Sequence, residues 1–377
     1  MNAAARILST VTAALLLSGC GQNTEEFSTR GALMPPAPVG TAEAACLTFV
    51  QTRLTAQGGV YTNYLSGSSQ GVLAEGHEVL SESQGLMLRY YAATADEQGF
   101  AQTLGFITDT LDTGALLAYR TREDGSPYAA NAAVDDLRVL RGLLEGARVF
   151  SDPGYRALCE GWARRLYDTN VRDDLLLDCY DGALAFAGPV STLCFSDLET
   201  MRLLGNSDKR WNRVEKNMRA ILKKGYLGDD FPFYQTRYRF DAKSYETERV
   251  GTVEALLTAL HLSQVGEGSP ATLRWVKAAL AQGGVVGAYT PQGAPASEIE
   301  STAIYALCAL LGEAEGDGAL IDAAVERLRA FQVTDPQSAL YGAFANAATQ
   351  QAYSFDNLMA LAALRAQARY AASYGKG

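Results

Sequence analysis

From residue 134 to the C-terminal region, apolar residues return three and four positions apart in one segment after another, the period of a helix with one buried face. Val134, Leu137, Leu140, Leu144 and Ala147 form one stripe, and Tyr155, Leu158, Trp162 and Leu166 form the next. The second is opened by Asp152 as a cap and by Pro153 at the first helical position, where a missing N–H costs nothing. Ser196-Asp197-Leu198-Glu199 has the spacing of a capping box before Met201, Leu203 and Leu204. Trp211, Val214, Met218 and Ile221 follow and stop near Gly225. Val253, Leu256, Leu257 and Leu260 end by Gly266, and Ser269-Pro270 opens a helix carrying Leu273, Val276 and Leu280. Further helices are expected over about 298–312, 317–331 and 354–372 by the same period. Alternating strand patterns are scarce, and the pattern predicts roughly ten to twelve helices. Helices buried all round paired with amphipathic ones fit an all-α toroid of antiparallel hairpins. An open solenoid would show a clearer short repeat. The tryptophans Trp162, Trp211 and Trp275 lie within helices and are expected in the core.

The N-terminus has a different character. Arg6 is the only charge of the leader, and the apolar run Ile7–Leu17 is too short to span a bilayer comfortably. It ends in Leu17-Ser18-Gly19-Cys20, which resembles the lipobox of bacterial lipoproteins. The resemblance implies a signal peptide over 1–19, acylation of Cys20, and an extracytoplasmic protein held to a bacterial membrane. Polar residues and the Pro35-Pro36-Ala37-Pro38 run predict a tether over 20–45, leaving 46–377 as the folded domain.

Charge and cysteine usage narrow the function classes. The formal net charge is −10, which argues against binding a phosphate backbone and disfavours a strongly anionic substrate. The six cysteines are Cys20, Cys46, Cys159, Cys179, Cys194 and Cys308; none has zinc-like spacing, and Cys179 and Cys194 are a possible disulfide. With His77 and His261 as the only histidines, a histidine-based metal site is not expected. Gly67-Ser68-Ser69-Gln70-Gly71 matches a serine-hydrolase elbow, but no strand precedes it.

The segment Ser81-Glu82-Ser83-Gln84-Gly85 carries the chemistry. As a local structure it reads as a helix start, with Ser81 and Gln84 forming a capping box and Glu82 in the first turn. It also resembles the Ser-Glu-Gly-Gln motif of glycoside hydrolase family 8, with Ser83 in place of Gly and Leu86 where an aromatic is common. The resemblance implies an (α/α)6 barrel, an inverting mechanism, Glu82 as general acid, and no metal or organic cofactor. Val134-Asp135-Asp136-Leu137 is similar to the family's acidic helix start. Asp136 falls on its second acidic position and Val134 on its first, so Asp135 is a substitute candidate; a solvated helix start is the alternative. On a helical wheel Asp136 flanks the apolar stripe and Asp135 points away.

Four further stretches resemble a subgroup of exopolysaccharide-associated lipoproteins and surface glycanases: Phe231-Pro232-Phe233-Tyr234, Glu254–Leu262, Glu300–Tyr305 and Tyr353–Leu361. Together they imply sugar contacts at Phe233, Tyr234, Tyr305 and Asp356, beside Asp135 and Asp136. Inverting hydrolysis needs a second carboxylate about 6.5–9.5 Å from the acid, with water between them. Asp241 is the candidate base, with Glu246 and Glu248 as rivals. Tyr238 lies in the same aromatic-rich stretch, which either stacks on sugar rings or forms a cluster of its own.

A general acid must hold its proton near neutral pH, yet a helix N-terminus favours the ionised form. Burial, with repulsion from Asp135 or Asp136, must therefore outweigh the dipole at Glu82. The expectation is a membrane-anchored inverting glycosidase acting on an extracellular polysaccharide. Its rivals are a non-catalytic glycan-binding lipoprotein, a polysaccharide lyase, which would leave an unsaturated product, and a helical scaffold.

Overall fold

The computed structural model describes residues 37–67 and 74–374. The leader, Cys20, the tether up to residue 36 and the serine of the elbow-like motif lie outside the described residues. Twelve α-helices are found among the described residues: α1 Thr41–Phe49, α2 Ser81–Thr94, α3 Glu97–Phe106, α4 Ala133–Val149, α5 Pro153–Asn170, α6 Leu198–Leu204, α7 Arg210–Lys224, α8 Thr252–Gln264, α9 Pro270–Ala281, α10 Thr302–Glu315, α11 Gly318–Arg329 and α12 Ser354–Tyr374. None is long and apolar enough to cross a membrane.

The even-numbered helices follow one another in space. α2 packs on α4, α4 on α6, α6 on α8, α8 on α10 and α10 on α12, and α12 returns to α2. The odd-numbered helices lie against this succession, with α1 on α12, α3 on α2, α5 on α4, α7 on α6 and α11 on α10. Sequence character explains the two sets. α10 is buried from Thr302 to Ala309, so no polar stripe is tolerated. α7 buries Trp211, Val214, Met218 and Leu222 and leaves its other faces charged, the pattern of a helix with solvent on one side. The three tryptophans pack in or against the core as expected.

α2 and α4 approach closely because their seam is built from glycine. A Cβ on Gly85 would stand 2.7 Å from Cβ of Arg138, and one on Gly142 would stand 2.6 Å from Cβ of Leu88. That approach carries Arg138 of α4 to the first turn of α2.

Several local expectations hold and others do not. Asp152 and Ser269 cap α5 and α9, each followed by proline. The Ser81–Gln84 capping box does not form. The N-cap of α2 is Leu80, Ser81 Oγ donates to the Tyr119 carbonyl at 3.3 Å, and Gln84 Nε2 donates to the Gly58 carbonyl at 3.4 Å. The Ser196–Glu199 box is also replaced: Asp197 caps α6, and Glu199 pairs with Arg141 at 2.8 Å. The folded part starts before residue 46, because Ala37 is buried and α1 begins at Thr41. Buried Glu43 pairs there with Arg365 at 2.6 Å, and Arg365 also donates to the carbonyls of Ala37 and Pro38. Cys179 and Cys194 are not bonded; one is exposed and the other buried.

Strands are short. The longest set is an antiparallel sheet of 190–192, 237–239 and 244–246, with Val190 opposite Arg239 and Arg237 opposite Glu246.

Candidate active site

The starts of α2, α4, α10 and α12 are linked at one place. Arg138 of α4 donates to Glu82 of α2 at 3.1 Å and to Asp135 at 2.6 Å. Ser83 and Ser354 share a hydrogen bond of 2.8 Å, joining the starts of α2 and α12. Asp356 Oδ1 accepts from Ala303 N at 2.8 Å, joining α12 to α10. Glu82, Asp135 and Asp356 thus come from three helix N-termini, where exposed N–H groups and the helix dipole favour negative charge.

Burial reverses that preference. Glu82 is enclosed but keeps 23 % of its side-chain surface open, while Asp135 and Arg138 each keep 11 %. Burial holds Glu82 above the usual carboxylate range, with Arg138 opposing. Burial also pushes Asp135 up to about 7, with the nearby Glu82 charge adding to it and Arg138 opposing. Asp356 is raised by burial and then by Glu82. One guanidinium serves two carboxyls, so if both ionised the group would carry a net negative charge in a desolvated place. A proton retained on the pair relieves this. The carboxylates cluster as expected, but burial does most at Glu82, and the partner placed between the acids is a cation.

The two aspartates lie on different sides of α4, as the helical wheel places them, but neither is at a solvated helix start. Asp135, expected to point away, faces Arg138 and Glu82. Asp136 is held between α4 and α5: Asn131 Nδ2 donates to its Oδ2 at 2.6 Å and to Asn170 Oδ1 at 2.9 Å. Burial raises Asp136 well above the ordinary range. Its place among Leu140, Trp162 and Leu166 is inside the wall.

Asp241 has the opposite environment. It sits at the turn of the 237–246 hairpin with 52 % of its side chain exposed. Arg239 Nε donates to Oδ1 at 3.0 Å and Nη2 to Oδ2 at 2.6 Å, a fork on a carboxylate. That pairing lowers Asp241 below its ordinary range. Glu246, one of its rivals, is also half-exposed and lies 3.7 Å from Arg239.

The aromatic contacts divide. Phe233, Tyr234 and Tyr305 are buried to within 4 % of their surface, so none offers a ring face to a sugar. Phe233 packs edge-on to Trp275 with centroids 4.9 Å apart, and Tyr234 tilts against Tyr226. The Tyr305 hydroxyl donates to Glu300 and accepts from Val285 N. The 231–234 aromatics are thus a core cluster, because their loop folds back onto α9. Tyr238 is half-buried between Phe240 and Tyr245. Two half-buried aromatics belong to segments that touch the Glu82–Arg138 neighbourhood: Tyr119, whose carbonyl accepts from Ser81 N at 3.0 Å, and Phe355, over which Arg138 lies 6.0 Å from the centroid. Phe355 lies in the Tyr353–Leu361 stretch, but Tyr119 did not stand out in the sequence and neither did Arg138, although Asp135-x-x-Arg138 has the spacing of neighbours on one helix face.

No family model matches the chain. Solved structures give its class. The chain shares its fold with endoglucanase Cel10, a family 8 glycosyl hydrolase from Klebsiella pneumoniae, at a TM-score of 0.62 and 15 % identity, covering 86 % of this chain and 99 % of that one. An α-amylase from Clostridium perfringens is more similar, with a TM-score of 0.81 and 30 % identity over 86 % of this chain and 97 % of that chain. The chain belongs to the family of that clostridial protein, and with the family 8 glycosyl hydrolases it shares the fold. It is also 26 % identical over 294 residues to YdaJ of Bacillus subtilis, provisionally named a lipoprotein, covering 76 % of this chain and 78 % of that protein.

Proposed function

We propose that this protein is an inverting glycoside hydrolase, built as an (α/α)6 toroid and anchored through acylated Cys20, that cleaves an extracellular polysaccharide. The observation that carries the reading is the enclosed cluster in which Glu82 and Asp135 share the Arg138 guanidinium at the α2–α4 seam. Burial favours the protonated form of Glu82, and Arg239 favours the ionised form of Asp241. Titratable groups whose environments part them in this way mark acid and base assignments. Glu82 then protonates the glycosidic oxygen as the bond to the anomeric carbon breaks. Asp241 takes a proton from the water that attacks the opposite ring face. Asp135 and Asp356 bind sugar hydroxyls beside Glu82, and Tyr119 and Phe355 offer ring faces. The cyclic succession of even-numbered helices, in which α12 returns to α2, supports the toroid.

The kinship to YdaJ supports an anchored envelope protein, and trimming or release of an exopolysaccharide is the outcome we assign. The α-amylase among its relatives favours a second substrate reading, an α-glucan.

The test incubates the protein with soluble starch, β-1,3-1,4-glucan and carboxymethylcellulose and measures new reducing ends. Nuclear magnetic resonance follows the anomer first formed. The reading expects one substrate to be cut with inversion and Glu82→Gln to be nearly inactive. Equal release by wild type and Glu82→Gln, or an unsaturated ultraviolet-absorbing product, would remove it.

A further inference from the structure

The two proposed catalytic carboxyls stand on different walls, Glu82 on the α2–α4 seam and Asp241 on a three-stranded sheet. An inverting site depends on the gap between its carboxyls, so the connection between the walls sets the reaction geometry. Asp178 joins them. Asp178 binds the α4 wall through its backbone, its carbonyl accepting from Ala133 N, the first residue of α4, at 2.8 Å. Its own N–H donates to the Val190 carbonyl at 3.1 Å. Its side chain binds the sheet: Thr192 N donates to Oδ1 at 2.5 Å and Thr192 Oγ1 to Oδ2 at 2.7 Å. Thr192 lies opposite Arg237 and Val190 opposite Arg239, and Arg239 forks Asp241. Phe240 N also donates to the Pro189 carbonyl at 3.0 Å, fixing the residue before Asp241. On the other side, Ala133 opens the turn that contains Asp135, which shares Arg138 with Glu82.

We propose that Asp178 is a positioning residue that sets the separation of Glu82 and Asp241 by fastening the sheet to the start of α4. This rests on the glycosidase reading and goes beyond it. Asp178 touches neither reacting carboxyl in the structure; its role is to hold strand 190–192, and through it the hairpin, in one register relative to α4. Both side-chain bonds are to one threonine, so they can be removed stepwise. A displacement of about 1 Å at a reacting group costs on the order of 10²-fold in rate, while binding of a long polysaccharide across many contacts changes less.

The experiment uses the full chain and whichever of soluble starch, β-1,3-1,4-glucan and carboxymethylcellulose the wild type cuts. Asp178→Ala is expected to lower kcat about 100-fold with KM within about threefold, and Thr192→Val, which removes one of the two bonds, to lower it by less. Asp178→Asn should return to within about threefold of wild type, because an amide oxygen still accepts from Thr192 N and the amide N–H can donate to Thr192 Oγ1. Asp178→Asn as damaging as Asp178→Ala would mean that the charge itself acts, and would overturn positioning. So would a Thr192→Val protein with unchanged kcat, which also covers the case of an Asp178→Ala chain that fails to fold. An unchanged kcat alongside a lowered melting temperature would reduce Asp178 to a stabilising role. If the wild type cut none of the three glucans and Glu82→Gln bound them equally well, the glycosidase reading itself would fall.

Discussion

The first turns of α2 and α4 and the 237–246 hairpin hold the same chemical pair, an arginine on carboxyl groups, with opposite results. In the hairpin, one guanidinium meets one half-exposed carboxylate, and Asp241 is lowered. At the α2–α4 seam, one guanidinium is divided between Glu82 and Asp135, both withdrawn from water, and both are raised. Protonation here follows the number of acids per cation and their access to solvent. Helix-dipole stabilisation of about 0.3–1 kcal/mol at exposed sites is smaller than burial, which can move a carboxyl by up to about 3–5 units. The loop of the hairpin therefore suits an ionised base, and the glycine seam suits a retained proton.

The largest expected effect breaks that contrast at both ends. Glu82→Gln and Asp241→Asn should each lower kcat by about 10²–10⁴-fold, the usual contribution of acid–base groups. The two losses should differ in kind. A substrate with a good leaving group, such as a nitrophenyl glycoside, needs little protonation and should recover Glu82→Gln more than Asp241→Asn. Equal recovery would show that the two carboxyls do not have separate roles. Glu246→Gln serves as the companion measurement, since Glu246 shares Arg239 with Asp241. If Glu246→Gln loses more than Asp241→Asn, the base has been placed on the wrong residue.

Much of this arrangement is legible in the sequence, and the rest fails for identifiable reasons. Helices α4 to α12 follow from the 3.6-residue period, and the Asp152-Pro153 and Ser269-Pro270 starts from local capping chemistry. Glu82 is found by motif. What local pattern misses is partner choice over long separations. The Ser81 hydroxyl takes the Tyr119 carbonyl, and Glu43 takes Arg365, so a capping box and a tether boundary that read well locally are overruled. Aromatic composition could not separate the buried Phe233, Tyr234 and Tyr305 from the half-buried Tyr119 and Phe355, because burial depends on which helix each loop folds against. The wheel separates Asp136, beside the apolar stripe, from Asp135, but the partners that claim them, Asn131 and Arg138, are not visible on it.

A smaller effect sharpens the seam itself. Gly85→Ala would place a methyl 2.7 Å from Cβ of Arg138 and 2.9 Å from its backbone carbon. Backbone cannot yield as a flexible side chain does, so α2 and α4 must separate. Overpacking of this kind costs about 1–3 kcal/mol, read as a lowered melting temperature. Since Arg138 would move off Glu82, kcat should fall as well. A stable Gly85→Ala protein with full activity would show that the seam is not what holds the acid in place.

The smallest effect concerns stability against pH and centres on Asp135. Its folded carboxyl titrates at about 7, against about 3.9 for an unfolded aspartate. Between those values the folded chain keeps a proton that the unfolded chain has lost, so its contribution to stability falls as pH rises. It is fully present below the unfolded value and is gone above about pH 7. Asp241, Asp112 and Asp208 are lowered in the folded protein, so their contribution is lost only on acidification below the usual carboxylate range and adds no slope here. His261 is lowered by burial, which works against stability on acidification and has the opposite sign in this window. Comparing wild type with Asp135→Asn cancels these contributions and those of the raised carboxyls away from the seam, Glu43, Glu215 and Glu254; Glu82, which shares Arg138 with Asp135, is eased by the substitution and adds to the difference. The melting temperature of the wild type should decline more steeply from pH 5 to pH 8 than that of Asp135→Asn. Parallel slopes would mean that Asp135 is ionised throughout, with Arg138 sufficient for both carboxyls, and the distinction between seam and hairpin would then rest on Glu82 alone.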